Sequence, residues 1–568
     1  MKSHKYLSHL IILIISISHA NFLNAESKGK DFFQLYPKYE TRAVWLTTLS
    51  GLDWPHSRSA ETQKKELTEI LDKLQDANIN TVLFQTRIRG TVAYPSAMEP
   101  WDGCFTGTPG RSPDYDPLAF AIDECHKRGM EIQAWIVTIP VGRWNSLGCK
   151  TLRKKYPGMI MRKNNEGFID PSNPLSATYI TNICKEITNN YDIDGIHLDY
   201  IRYPENLLSK RADKETAKRN ITKIVSTVSK EIKKIKPWVK LSCATIGKYS
   251  DLPRRASHGW NALNRVNQDA QAWMRAGYVD QLYPMIYFRG NNFYPFALDW
   301  KENSFESSVI SGLGAYFLSP QEGNWPLEEI TRQMNVSRSA GIGCAFFRAK
   351  FLLDDTKGLY TYTKEQFSPY PALIPPMHTT CAPDAPQSLN VTWDEGVMTA
   401  TWSEVTDGIC GKATYNVYAS DTAPVDTHDA RNLVAVRRKD NSLSIKSDRK
   451  LFIAVTAVNR FGNESKAVFD QSFINSTFPN NKYSQTNTQS PAMLYVNKSS
   501  RTISLPNRTN ALDADFIMIK SLVGTISGVF PYKNGHADIG ELQPGSYTVY
   551  SLNAKGVTHR LCFLTVKQ

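Results

Sequence analysis

The sequence predicts an α/β protein, a (β/α)8 barrel followed by two small all-β sandwich domains. Between residues 41 and 352 short apolar strands alternate with amphipathic helices, and the strand pattern occurs eight times. No glycine-rich GxGxxG turn follows the first strand, which argues against a doubly wound open sheet. Composition then changes at "PYPALIPPMHTTCAPDAP", and short alternating strands separated by turn residues take over.

The chain opens with Lys2 and Lys5, an apolar run from Leu7 to about Ile17, and small residues up to Ala25. This is the pattern of a secretory signal peptide over 1–25, the run being short of the ~20 residues that span a bilayer. The expected product is exported, periplasmic or extracellular, with no transmembrane segment in the mature chain. Its formal charge of +13 falls by two on losing Lys2 and Lys5, since residues 1–25 hold no acid. A basic exported protein can favour anionic polymers, cell-wall glycans among them, or the charge can serve solubility alone; the basic residues are dispersed and spell no nucleic-acid motif. Nine cysteines are an odd number, and those inside apolar strands and helices read as small buried hydrophobes. Cys381 and Cys410 are the one candidate disulfide. No CxxC or HExxH spacing suggests zinc, and no cofactor is expected.

The barrel, expected over 26–368, takes its strands from 41–49, 80–88, 131–139, 194–200, 240–247, 279–288, 309–317 and 341–349. Helical patterns such as 61–77, 117–129 and 326–340 lie between them, with Gly129 and Gly341 as helix stops. A proline-rich linker (369–385) leads to a sandwich over 386–472 whose "VTAVNRFGNES" ending resembles a fibronectin type III domain. A polar linker (473–490) precedes a small C-terminal β-domain over 491–568.

Barrels of this kind gather chemistry where their strands end. In "YDIDGIHLDYIRYPE", Gly195, His197 and Asp199 share one strand face, with Ile196, Leu198 and Tyr200 on the other. The second strand and its loop bring Gln85, Arg87, Tyr94, Glu99, Trp101 and Asp102; the fourth adds Arg202 and the sixth Tyr287. Aromatic faces stack on pyranose rings, fixed donors and acceptors read hydroxyls, and two carboxyl groups across a glycosidic bond supply acid and base or nucleophile. Asp199 is the first candidate for one of those carboxyl groups, and Glu99, beside Trp101 and Tyr94, is a candidate for the other. Gln85, Arg87, Tyr94, Trp101, His197, Arg202 and Tyr287 are expected to hold the sugar. The plainer alternatives are an ion pair of Asp199 with Arg87 or Arg202, a hydrogen-bonded core role for His197, and a turn or cap role for Asp194.

"TRAVWLTT", "FQTRIRGTVAYPSAMEPW", "YDPLAFAIDECHKRGMEIQAW" and "YDIDGIHLDYIRYP", in that order, resemble the glycosyl-hydrolase-like family ten barrel over about 40–350. The resemblance implies a secreted bacterial glycosidase, and one branch of that family acts on peptidoglycan strands stripped of their peptides. The sequence departs from the family's usual "AWFNPYR" after the third strand, where it has "AWIVTIPVGRW". Family eighteen chitinases end their strand-four motif in an acidic glutamate, and Ile201 stands there instead, so that likeness implies a proton donor from another loop: Glu99 is the expected general acid, with Asp102 or Glu205 as substitutes, and likeness to amylase-type barrels makes Asp199 the expected nucleophile or base. A catalytically inert glycan-binding envelope protein is the alternative function.

Overall fold

The structure is a computed structural model that describes residues 36–470 apart from 205–212, 254–256, 258, 378–381 and 422–424, and beyond them the strand segments between 493 and 567 with a few residues beside them. The expected signal peptide over 1–25, the expected linker over 473–490, Glu205 and Cys381 lie outside the described residues. Among the described residues no helix is long and apolar enough to cross a membrane.

Eight parallel strands close into a barrel: β1 (Arg42–Leu46), β2 (Thr81–Arg87), β3 (Glu131–Val137), β4 (Gly195–Asp199), β5 (Lys240–Ile246), β6 (Gln281–Met285), β7 (Ser308–Leu313) and β8 (Gly343–Phe346). Each pairs with its neighbours in sequence, and β8 returns to β1 through Arg42 and Cys344. Helices α1 (Ala60–Asp76), α2 (Pro117–Lys127), α3 (Pro174–Asn190), α4 (Lys214–Ile235), α5 (Ala270–Arg275), α6 (Tyr294–Glu302), α7 (Leu327–Ser339) and α8 (Ala349–Leu353) follow the strands in turn. Every residue of β1, β2 and β3 is buried, as expected where helices cover one sheet face and the barrel interior the other. Asp116 and Asn173 cap α2 and α3, each directly ahead of a proline in the first helical turn. Gly129 and Gly341, at φ +71° and +64°, end α2 and α7 in the left-handed region that glycine enters freely.

All eight strands lie where the sequence predicts them, but each is shorter than its apolar run. The surplus residues form the loops around the site. One element is not apparent in the sequence. The β3–α3 connection folds into a three-stranded antiparallel sheet of Pro140–Arg143, Ile160–Lys163 and Glu166–Ile169, the last lying between the other two. Cys125, Cys149, Cys184, Cys243 and Cys344 are buried thiols, in keeping with their apolar surroundings.

Beyond the barrel, antiparallel sheets face each other around Trp402, Tyr415, Val417 and Val455. One contains Leu389–Asp394, Val397–Trp402 and Ser442–Lys446; the other contains Leu433–Arg438, Thr414–Ser420, Phe452–Val458 and Val468–Phe469. This sandwich sits under the ends where the barrel strands begin. Arg437 donates to Asp194 at 2.6 Å and lies 3.3 Å from Glu131, while Arg460 pairs with Asp192 at 2.7 Å and Lys38 with Glu464 at 2.6 Å. Gly129 is required there, because a Cβ would come within 2.4 Å of the Val436 carbonyl oxygen. The proline-rich segment joins this underside, with Leu373 accepting from Glu40 N at 2.9 Å and Ala372 from Asn80 Nδ2 at 3.0 Å. The sandwich therefore braces the end of the barrel opposite the strand C-termini.

The C-terminal unit, residues 478–568, is described by itself. It holds a five-stranded sheet in the order Met493–Asn497, Thr558–Lys567, Gly545–Leu552, Phe516–Ser521, Ile526–Pro531, with its first pair parallel and the rest antiparallel. Thr502–Ser504 pairs with His536–Asp538, and Ile503, Ile517, Ile519, Ala537 and Val549 form its apolar core.

Candidate active site

The inward-facing residues fill the barrel in layers. Ala43, Trp45, Leu83, Trp135, Val137, Tyr283, Ile310 and Ala345 pack against one another, and a polar chain threads between them. Trp45 Nε1 donates to His197 Nε2 at 3.2 Å, which leaves Nδ1 as the protonated nitrogen, 2.8 Å from Ser242 Oγ. Ser242 Oγ donates to Gln133 Oε1 at 2.6 Å, and Gln281 Oε1 accepts from Gln133 Nε2 at 2.7 Å and Tyr283 Oη at 3.1 Å. His197 is thus a neutral, fully buried core residue, which corrects its expected sugar contact. Burial pushes its pKa down to about 3. The unfolded chain then binds more protons than the native one below the ordinary histidine value near 6.5, so the native state loses stability as pH falls from there towards 3. The slope approaches about 1.4 kcal/mol per pH unit. Urea unfolding across that window is expected to show this slope, and to show less of it in His197→Gln.

One layer higher, β4 ends on Asp199. Of the eight residues that close the barrel strands, it alone carries a carboxyl group. Trp135 Nε1 donates to its Oδ2 at 3.1 Å and the Tyr200 N–H to its Oδ1 at 2.6 Å. Tyr200 adopts φ +55°, a conformation that a bulky residue rarely takes and one that clusters at functional sites. The Arg202 guanidinium lies 3.7 Å from the centre of the Tyr200 ring. Burial raises the Asp199 pKa; Arg202 and the two hydrogen bonds oppose that rise without cancelling it. Tyr287, beyond β6, is close enough to Asp199 that the carboxylate, after burial, helps push its phenol well above the ordinary range. Its buried Oη makes no hydrogen bond among the described residues. Asp199, Arg202 and Tyr287 are therefore the predicted site residues that the fold brings together.

The β2 residues serve the framework instead. Glu99 corrects the expectation of a general acid: both of its oxygens accept from Arg87, at 2.7–3.0 Å, Tyr179 Oη donates to Oε1, and its side chain is fully buried. A carboxylate closed in this way has no free position for a substrate. Arg87 is committed equally, its Nη1 donating to the carbonyls of Val137 and Thr138 and locking β2 to β3, so it does not hold sugar. Gln85 Oε1 accepts from Thr48 N at 2.9 Å and Leu49 N at 2.8 Å and thereby fixes the β1–α1 loop. Tyr94 is fully buried and turns outwards, donating to Glu186 on α3 at 2.8 Å with its ring against Tyr191. Trp101 is half-buried, and its backbone bridges Val92.

A cleft of about 590 Å3 opens among the loops after β1, β2 and β3, lined in part by His56, Arg58, Arg89, Asp102 and Leu147. Asp102 accepts from Thr91 Oγ1 at 2.6 Å and Cys104 N at 2.9 Å and remains partly exposed. Sequence reasoning passed over Trp135, although β3 pairs with β4 in parallel register and places Val137 beside Asp199 and Trp135 beside His197. It also missed Asp53, which accepts from Thr47 N at 2.8 Å and pairs with Arg348, joining the ends of β1 and β8. Among the described residues no cluster of His, Cys, Asp or Glu side chains is gathered to hold a metal ion.

Residues 40–219 and 206–312 match the family described as Glycosyl hydrolase-like 10. Glycosyl hydrolase YngK of Bacillus subtilis is 27% identical over 508 residues, 82% of this chain and 97% of that protein. Glycosyl hydrolase DigH of Escherichia coli K12 is 32% identical over 292 residues, 44% of this chain and 65% of that protein. Among solved structures, the alpha-L-fucosidase isoenzyme 2 of Paenibacillus thiaminolyticus superposes with a TM-score of 0.38 at 16% identity, covering 57% of this chain and 50% of its own. On the family match and the closed eight-stranded barrel that carries it, the barrel of this chain belongs to the Glycosyl hydrolase-like 10 family.

Proposed function

We propose that the protein is an exported glycoside hydrolase that cuts O-glycosidic bonds in a bacterial cell-wall polysaccharide, with peptide-free peptidoglycan strands as its substrate. The observation that carries this reading is Asp199, the carboxylate at the centre of the strand ends, oriented by Trp135 and the Tyr200 N–H and surrounded by aromatic rings. Asp199 acts as nucleophile or base at the anomeric carbon. With Glu99 closed off, the proton donor comes from the loops, and Asp102 at the cleft is the carboxyl group positioned on the β2 side. A separation of ~5 Å between the two carboxyl groups in the substrate complex implies retention of anomeric configuration, and ~6.5–9.5 Å inversion.

The closure of Glu99 also favours a second reading, a barrel that binds glycan without cutting it. Incubation of residues 26–568 with peptide-free glycan strands, and separately with N-acetylglucosamine oligomers, separates the two by mass spectrometry. New reducing ends are expected. Strands retained on the protein uncut would establish the binding reading, and neither cleavage nor retention would sink both.

A further inference from the structure

We propose that the β3–α3 connection is a cationic platform that reads carboxylate groups on the polymer, so that the protein selects an acidic glycan over a neutral one of the same length. That the polymer is a glycan rests on the function proposed above. Between residues 140 and 169 the sequence holds seven lysines and arginines against one acid, Glu166. The connection leaves the barrel beside the candidate catalytic group, since Val137 is paired with Asp199 and Thr138 N donates to the Asp199 carbonyl at 2.8 Å. Its charge therefore lies on the active-site face. The helix within it, Leu147–Lys155, contains no acidic residue. Leu147, Lys150 and Lys154 fall at the i, i+3 and i+7 positions of one exposed helix face. Leu147 lines the cleft of about 590 Å3 together with Arg58 and Arg89, so the two lysines carry the basic side of the cleft outwards.

The charge is left uncompensated by the fold itself. Arg143, Lys150, Lys154 and Lys155 have no carboxylate partner among the described residues, and Glu166 faces Arg89 at 3.7 Å. Elsewhere on the barrel surface acids stand beside such lysines: Lys127 pairs with Glu124 on α2 and Lys218 with Glu215 on α4. Two further cations gather on one ring, the Arg153 guanidinium 3.9 Å and the Arg162 guanidinium 5.3 Å from the centre of Trp144. Cations in the last helical turn complement the helix dipole, which gives Arg153, Lys154 and Lys155 a structural use. Arg143, Lys150 and Arg162 stand outside that turn. The platform is also fixed in place, because Gly148 lies so close to the β2 loop that a Cβ there would run into the Gly90 carbonyl oxygen. Like charges held at fixed positions repel, and an anionic polymer relieves that repulsion. A peptidoglycan strand without its peptides carries a free carboxylate on every second sugar, a repeating charge that such a surface complements.

The test is calorimetric titration of the full chain, rendered inactive as Asp199→Asn, with a peptide-free glycan octasaccharide and with the same octasaccharide after its carboxyl groups are capped as methylamides. In dilute buffer the acidic form is expected to bind about tenfold more tightly, the order of three exposed charge pairs. Added salt should shrink that advantage by screening. Arg143→Gln, Lys150→Gln and Lys154→Gln together should erase it. Lys214→Gln, Lys223→Gln and Lys230→Gln together, on α4, lower the net charge by the same amount and should leave it in place. Circular dichroism confirms that each variant is folded. Equal affinity for the two octasaccharides, an advantage that survives the platform substitutions, or one lost equally on substituting α4 overturns the platform. So does capture by phosphatidylglycerol vesicles that needs the platform while neither octasaccharide is preferred, which would make the surface a lipid contact. Failure of the hydrolase reading looks different, since the unsubstituted protein would then prefer the acidic octasaccharide and leave it uncut, whereas a hydrolase without the platform would cut both forms alike.

Discussion

Asp199→Asn is expected to lower turnover by at least the ~10²–10⁴-fold assigned to a positioned proton-transfer group, and by more if Asp199 is the nucleophile. The substitution is nearly isosteric. Its amide oxygen still accepts from the Tyr200 N–H, and only the bond from Trp135 Nε1 meets a donor in place of an acceptor. The barrel should therefore remain folded while the chemistry fails, and circular dichroism with product analysis reads the two separately. A loss below tenfold in a folded variant would sink the assignment. The pH profile supplies an independent check. Acting as nucleophile or base, Asp199 must be ionised, and burial holds its carboxyl above the ordinary aspartate value. The acid limb of kcat/KM is then expected above ~3.9, with activity lost as pH falls through it. Arg202 pulls that pKa down, so Arg202→Met should move the limb to higher pH.

The barrel was legible in the sequence because burial on both sides writes nearly continuous apolar runs, interrupted at the strand ends where the chain turns. The same regularity made Asp199 legible, since strand parity sets it on the face of Gly195 and His197 and at the C-terminal end. What parity cannot give is the partner on another element. His197 and Asp199 share a face, yet one layer of depth turns the first into a hydrogen-bonded core residue fixed by Trp45, 152 positions away. Glu99 stands in a loop rich in turn residues, where exposure was the natural expectation. Its burial depends on Tyr179, 80 residues further on, and on Arg87 folding back towards it. The end of β7 escaped for a related reason. Tyr316 and Phe317 read as the end of an apolar strand, whereas β7 stops at Leu313 and releases them into the loop.

Glu99→Gln separates a framework carboxylate from a catalytic one. In the native protein the Arg87 guanidinium is almost wholly buried, with Glu99 as its counter-charge. Glutamine keeps the shape and one acceptor, but it turns its amide N–H groups towards a cation and leaves the charge uncompensated. Removing one partner of a buried ion pair costs about 3–5 kcal/mol, and a loss of that order is expected from urea or guanidinium unfolding. Turnover, measured where the variant is still folded, should stay within tenfold of the unsubstituted protein. Arg87→Met should destabilise as well, because it strands the Glu99 carboxylate. The double variant should then cost less than the sum of the two, since neither charge remains to be left alone. A general acid would behave in the opposite way, with turnover collapsing at an unchanged unfolding midpoint and Arg87→Met failing to soften the effect. That outcome would return Glu99 to the chemistry and require the Arg87 pair to open when substrate binds.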